Sequence, residues 1–145
     1  LFNYNLYYKN LGENMATNAK WTVVFDDKII IKQTGPDEGP YIIENDDAFW
    51  NDSKWSNIWA IQYKDDDHEY NDTIEYRDET PHATWTAANL GDFRTQFINR
   101  WDAAHLAKIQ TEWDDSNLVD DNGDPTESVE EKVARLGPRP TSYSS

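Results

Sequence analysis

Between Phe93 and Trp113 apolar side chains recur at helical spacing for about six turns, and no other stretch constrains the fold as strongly. Phe93, Phe97, Trp101 and Ala104 form one row, with Ile98, His105, Ile109 and Trp113 on the adjoining rows. Arg94, Asn99, Arg100, Asp102 and Lys108 occupy much of the remaining surface, and Gly91-Asp92 marks the change of period. A helix with so broad an apolar stripe needs a second layer to cover it.

The residues before it supply a sheet. Trp21 to Phe25 and Ile29 to Lys32 are short β-branched and aromatic runs joined by Asp26-Asp27, the pattern of a hairpin or tight bend. A Gly35-Pro36-Asp37-Glu38-Gly39-Pro40 loop precedes the extended Tyr41-Ile42-Ile43. Asp46 to Trp55 reads as an irregular or short helical link bringing Phe49, Trp50 and Trp55 toward the core. Ile58 to Tyr63 and Thr73 to Arg77 are expected to pair across the acidic loop Lys64 to Asn71. Alternation in the latter strand puts Ile74 and Tyr76 on one face, Glu75 and Arg77 on the other. The predicted fold class is α+β: a twisted antiparallel sheet of four to five strands, one long amphipathic helix packed on a face, and a short C-terminal helix. At 145 residues there is chain for one core, and seven Trp, eight Tyr and five Phe concentrate its apolar area in a few large side chains.

Three regions follow. Residues 1–19 are an N-terminal arm or a translated upstream segment, 20–117 the sheet-helix core domain, and 118–145 an acidic linker, short helix and extended tail. Within 1–14 the residue types are those of AT-rich codons, so Met15 is the expected start; in the rival reading Phe2, Tyr4, Leu6 and Tyr8 alternate as a strand that could join a neighbouring sheet. In the last region Asp124 is expected to cap a helix beginning at Pro125, with Glu127, Glu130 and Glu131 near its N-terminus and Gly137-Pro138 ending it. Val129, Val133 and Leu136 recur on that helix at spacings of four and three, too little apolar surface to stand alone. They must dock on the domain itself or on a partner. Arg139 to Ser145 reads as exposed and extended.

Charge and motif content narrow the function. A formal net charge of −15 excludes nucleic-acid phosphates and anionic membranes as expected partners, because both are bound by Lys and Arg clusters. No apolar run approaches the roughly 20 residues of a membrane helix, and the first residues lack the basic and apolar regions of a secretory signal; the protein is expected to be soluble where it is made. Without cysteine there is no disulfide, thiolate metal site or cysteine nucleophile.

Asp65-Asp66-Asp67-His68-Glu69 gathers ligand-type residues, but consecutive side chains diverge; a solvated loop is favoured over a cation site in 65–72. Asp120-Asp121-Asn122-Gly123-Asp124 fails as a calcium loop, since aligning Gly123 as the sixth position puts Leu118 first and Val129 last. His68, His82 and His105 lack a nucleophile constellation; His105 can pair with Asp102 three residues earlier, an ordinary helical arrangement, and His82 after Thr80-Pro81 reads as a turn residue. No catalytic residue and no cofactor is expected. Trp59, Trp101 and the phenylalanines fit core positions, whereas Trp50, Trp55, Trp85 and Trp113, near segment ends, are candidates for the surface.

Four blocks of running sequence carry a resemblance: Trp59 to Tyr63, Glu75 to His82, Phe97 to Leu106 and Gly137 to Ser145. Over about Lys20 to Ser145 the chain resembles small proteins of contractile-tailed marine cyanophages, and WAIQY followed by TIEYRDETP resembles, more loosely, short tail-module proteins of other phages. The resemblance implies a virion or tail-assembly role, in the virion or in the host cytoplasm during infection, and transfers no functional residue. The expected function is therefore a non-enzymatic phage structural or assembly protein contacting other phage proteins, with a homo-oligomer as a further option. Expected partner contacts are Trp50, Trp55, Trp85, Val129, Val133, Leu136 and Tyr143. The alternatives are an acidic host-directed effector that mimics nucleic-acid charge or occupies a basic site on a host protein, and a small enzyme or sugar-binding module using Trp50, Trp55 or Trp85 near His82.

Overall fold

The computed structural model describes residues 19–33, 38–64 and 72–145. The N-terminal arm, the first residues of the Gly-Pro loop and the acidic loop through Asn71 lie outside them. In chain order the elements are β1 (Lys20–Val24), β2 (Ile29–Gln33), β3 (Pro40–Ile42), the short helix α1 (Asp47–Trp50), a 3-10 turn (Ser53–Trp55), β4 (Ile58–Lys64), β5 (Thr73–Tyr76), α2 (Ala87–Leu90), α3 (Asn99–Asp115) entered through a π turn (Arg94–Ile98), and α4 (Val129–Leu136). The strands form one open antiparallel sheet in the order β3-β2-β1-β4-β5. The expected α+β class stands, with five strands and a 22-residue helix lying on the sheet.

Period-two alternation decides which side of the sheet meets the helix. Trp21, Val23 and Phe25 from the first hairpin, with Ile30, Ile61 and Ile74 from neighbouring strands, face the helix and join Phe93, Phe97, Ile98 and Trp101 in one core. Several contacts between the layers are between rings. Tyr63 stacks on Phe93 at 3.9 Å, Phe25 meets Phe97 edge-on at 6.0 Å, and Trp21 meets Trp101 edge-on at 5.5 Å. The two edge-on pairs each add about 0.5–1.5 kcal/mol beyond the area they bury.

One strand departs from simple alternation. Ile58 pairs with Tyr76 and Ala60 with Glu75, so Trp59 is an extra residue opposite none, a β-bulge. Ile58 and Ile61, three residues apart, both reach the core, which an unbroken strand would forbid. The bulge turns Trp59 outward, where it is 46% exposed. The expectation that Trp59 packs in the core is corrected for this reason.

The long helix starts where the period changes. The Asp92 carboxylate accepts from the Thr95 N–H at 2.8 Å and the Thr95 hydroxyl at 2.6 Å, which supplies the N-terminal cap. Gly91 precedes it at φ 87°, a conformation that side-chain-bearing residues avoid. A Cβ there would also run into the Gln96 amide, which donates to the Leu90 carbonyl. Gly91→Ala is expected to cost about 1–3 kcal/mol, read as a lowered urea midpoint; an unchanged midpoint would show that the entry can relax.

The last helix begins later than expected. Ser128, not Asp124, is its cap: the Ser128 hydroxyl accepts from the Glu131 N–H at 3.1 Å and the Glu131 carboxylate accepts from the Ser128 N–H at 3.1 Å. Asp120 and Asp124 instead close a turn, and Val119 pairs with Pro125 in an isolated bridge, so Pro125 is extended rather than helical. Gly137 ends the helix at φ 79°.

Candidate functional site

Beyond α4 the chain turns back and runs along α3 from its C-terminal to its N-terminal end. Trp113 Nε1 donates to the Gly137 carbonyl at 3.0 Å, Arg139 forks onto the Asp114 carboxylate at 2.9 Å through each of two nitrogens, and Gln110 donates to the Pro140 carbonyl at 2.9 Å. Further on, Tyr143 packs against His105 at 4.3 Å and Trp101 at 6.0 Å. The tail read as exposed is thus strapped down: Pro140 and Ser145 are buried and Tyr143 is half-buried. Its composition is polar, but Arg139, Tyr143 and Ser145 meet partners on α3 or the sheet, while Thr141, Ser142 and Ser144 stay exposed.

The end of the strap enters a buried polar cluster. Lys32, on the core face of β2, is only 2% exposed; its ammonium lies 3.3 Å from the Glu38 carboxylate, donates to Ser145 Oγ at 3.1 Å, and sits over the Trp101 ring at 5.0 Å. Asp102 on α3 accepts from the Ser145 N–H at 3.0 Å and from its hydroxyl, while Arg94 donates to the Ser145 carbonyl at 2.7 Å. Close by, the Tyr41 hydroxyl and His105 Nδ1 share a 2.6 Å hydrogen bond, and His105 stacks on Trp101. Asp102 and His105, expected as a helical pair, are drawn to different partners.

Burial sets the protonation of these groups. It lowers the Lys32 ammonium against the opposing pull of Glu38, and raises the Asp102 carboxyl against the hydrogen bonds from Ser145. The Tyr143 phenol is pushed up to about 12 and the His105 imidazole down to about 4, burial leading in both cases. For His105 the charges of Lys108 and Lys32 act in the same direction. Between pH 4 and the ordinary histidine value of 6.5 the unfolded chain binds a proton that the folded chain refuses, so this imidazole makes stability fall as pH falls. The raised Asp102 carboxyl acts in the opposite direction and is common to a His105→Gln variant. The wild-type protein should therefore show a steeper rise of unfolding free energy with pH across that window, by about one proton, than His105→Gln. Equal slopes in urea titrations at successive pH values would refute a neutral buried imidazole.

This cluster was missed from sequence, yet signals for it exist. Lys32 is in phase with Ile30, and Asp102 falls on the Ile98, His105, Ile109 row of the stripe. A charged residue at a core position of both layers is such a signal. The chemistry it supports is fastening: carboxylate, ammonium and hydroxyl are engaged with one another and with the strap.

The tryptophans proposed for the surface are elsewhere. Trp50, Trp55, Trp85 and Trp113 are all buried, which corrects the expectation drawn from their places near segment ends. Trp55 lies against Phe25, Phe97 and Trp85, with Lys54 Nζ 4.8 Å above its ring. Trp50 donates to the Ile43 carbonyl at 3.0 Å and meets Phe25 edge-on. An open groove of about 440 Å³ runs past Trp50 and Trp55, edged by Asn51, Asp52 and an Arg77–Asp26 ion pair at 2.5 Å. Both indoles are buried beside the groove, so neither offers an open face to a sugar. His82 is exposed on the segment before Ala83, which bridges to Ile74.

The remaining candidates lie on α4, and the helix docks in an unusual sense. Lys132 is turned inward over the Trp113 ring at 4.0 Å and donates to Asn117 Oδ1 at 2.5 Å; Arg135 pairs with Glu127 and donates to the Ser116 carbonyl at 2.6 Å. Leu136 is buried beside them. Val129 and Val133, one turn apart, are 74% and 36% exposed. The cations point in and the valines point out.

Among the described residues no group of three or more His, Asp or Glu side chains is placed to hold a metal ion, and no helix is long and apolar enough to cross a membrane. The acidic loop 65–71 lies outside those residues. No family model, curated protein or solved structure matches this chain.

Proposed function

We propose that this chain is a non-enzymatic structural or tail-assembly protein of a phage particle, acting through protein–protein contacts. In this reading the sheet and α3 are the scaffold and α4 is the contact element, in the virion or in host cytoplasm during infection. The observation that carries the contact role is the orientation of α4: an amphipathic helix normally turns its apolar stripe to its own core, whereas this one leaves Val129 and Val133 uncovered. The phage setting rests on the similarity of the four sequence blocks. Mass spectrometry of purified particles beside whole infected lysate tests it. Enrichment in particles is expected; a protein abundant in lysate, missing from particles and bound to no particle component would sink the reading.

The net charge of −15 favours a second reading, an acidic effector that occupies a basic site on a host protein. Pull-down from uninfected host extract separates the two, since only an effector should retain one host protein in a salt-sensitive manner.

A further inference from the structure

The surface that α4 presents is apolar and acidic, with its own cations withdrawn. Helical spacing places Lys132, Arg135 and Leu136 on the inward arc, Val129 and Val133 on the next arc outward, and Glu130 beyond them. Both cations between Leu118 and Leu136 are spent inside the chain. Lys132 is held by Trp113 and Asn117, and Arg135 by Glu127 and Ser116. The turn leading to the helix adds the exposed carboxylates of Asp120, Asp121 and Asp124, and exposes Leu118 and Val119 as well.

From this arrangement we infer that α4 is a docking helix for a protein surface that is apolar at its centre and edged by Lys or Arg. Val129 and Val133 enter the apolar centre, and Glu130 with the Asp120 to Asp124 turn meets the cationic edge. The inference rests on the contact role proposed above and specifies the partner's chemistry. Charge complementarity selects this occupant. A second copy would bring the same carboxylates and another net charge of −15 against the patch. Nucleic acid and anionic lipid are repelled for the same reason. An uncharged apolar surface would bury the valines but strip water from Glu130 without offering it a partner.

The probe is a set of three synthetic amphipathic peptides sharing one leucine-lined helical face and edged by Lys/Arg, Gln or Glu. Each is titrated into the full chain while the Val129 and Val133 methyl groups are followed by NMR. The Lys/Arg-edged peptide is expected to shift those methyls and bind at least tenfold more tightly than the Gln-edged one, with the advantage shrinking as salt is raised. The Glu-edged peptide is expected not to bind. A Val129→Asp/Val133→Asp variant should lose binding while keeping its thermal midpoint, because Val129 is open to solvent and Val133 partly so. Equal binding of the Gln-edged and Lys/Arg-edged peptides, shifts centred elsewhere on the acidic surface, or no binding at millimolar peptide would overturn the inference. So would methyl shifts that depend on protein concentration alone, which would identify a second copy as the occupant. Presence or absence in particles is a separate result: a chain found in particles that ignores the cationic peptide keeps the assembly role and loses the partner chemistry.

Discussion

Trp101→Ala is expected to destabilise the protein by about 3–5 kcal/mol, the range for truncating a large buried aromatic side chain. Trp101 is fully buried where the two layers and the strap converge. It meets Trp21 from β1 at 5.5 Å, Tyr41 from β3 at 5.1 Å, His105 from its own helix at 4.8 Å and Tyr143 from the strap at 6.0 Å, with the Lys32 ammonium over its face. Removing the indole opens a cavity bounded by every layer of the molecule, and none of the four can close it without leaving another contact. Domains of this size are stable by only about 5–15 kcal/mol, so the variant should unfold at a much lower urea concentration or fail to fold at 37 °C. Trp101→Phe is the informative companion. The Trp101 Nε1 hydrogen is buried with no acceptor among the described residues, so phenylalanine keeps a ring and removes an unsatisfied donor. Its loss should be less than half that of alanine; equal losses would mean that ring packing is not what holds this junction.

Lys32→Met should be nearly as damaging, by about 3–5 kcal/mol, for an electrostatic reason. Methionine replaces the aliphatic stem but withdraws the cation from the Glu38 and Asp102 carboxylates, in a place where water cannot substitute for it. The strap should loosen as a result, since Ser145 Oγ bridges Lys32 and Asp102. Amide exchange at Tyr143 to Ser145 should rise before global unfolding. Adding Asp102→Asn should restore part of the lost stability, because it neutralises one of the two stranded carboxylates; the double-mutant cycle measures that coupling. Additive losses would show that Lys32 and Asp102 act independently, and a neutral Lys32→Met would show that the buried charges are dispensable.

The long helix was legible because its information is local: seven large side chains at one period specify both the element and the face it buries. The first hairpin was legible for a similar reason, with two β-branched runs on either side of a short acidic turn. Trp59 was not. Ile58, Trp59, Ala60 and Ile61 can alternate in either phase, and only the pairing with β5 inserts the bulge that exposes the tryptophan. Trp50, Trp55 and Trp85 lie near the ends of short segments, but Trp55 and Trp85 pack on Phe97 and Trp50 packs on Phe25 and Phe49, which meet Phe97 in turn. Position along the chain was a poor guide to depth.

The candidate site divides in the same way. Val129, Val133 and Leu136 could be picked out as a stripe too small for independence, and Leu136 does dock on the domain. That Lys132 and Arg135 would take the inward positions beside it depended on Trp113, Asn117, Ser116 and Glu127, residues of other segments that offer a ring, an amide, a carbonyl and a carboxylate. The polar tail is a reversal in part: Thr141, Ser142 and Ser144 are exposed as expected, but Tyr143 and Ser145 are covered. Nothing in Thr141 to Ser145 looks buried until Lys32, Arg94 and Asp102 are brought together to receive it.

By itself, then, the sequence determined the order of the strands and of the long and C-terminal helices, and the apolar face of α3, because periodicity and turn residues act within a few positions of one another. Which face of α4 turns inward, which tryptophan is exposed, and where the strap lies were decided only in the tertiary structure. Each depends on a partner at least 15 residues away for the inward lysine of α4 and 113 away for the lysine that receives the strap. At such separations the energy of a contact belongs to the pair, and neither residue's neighbours carry a record of it.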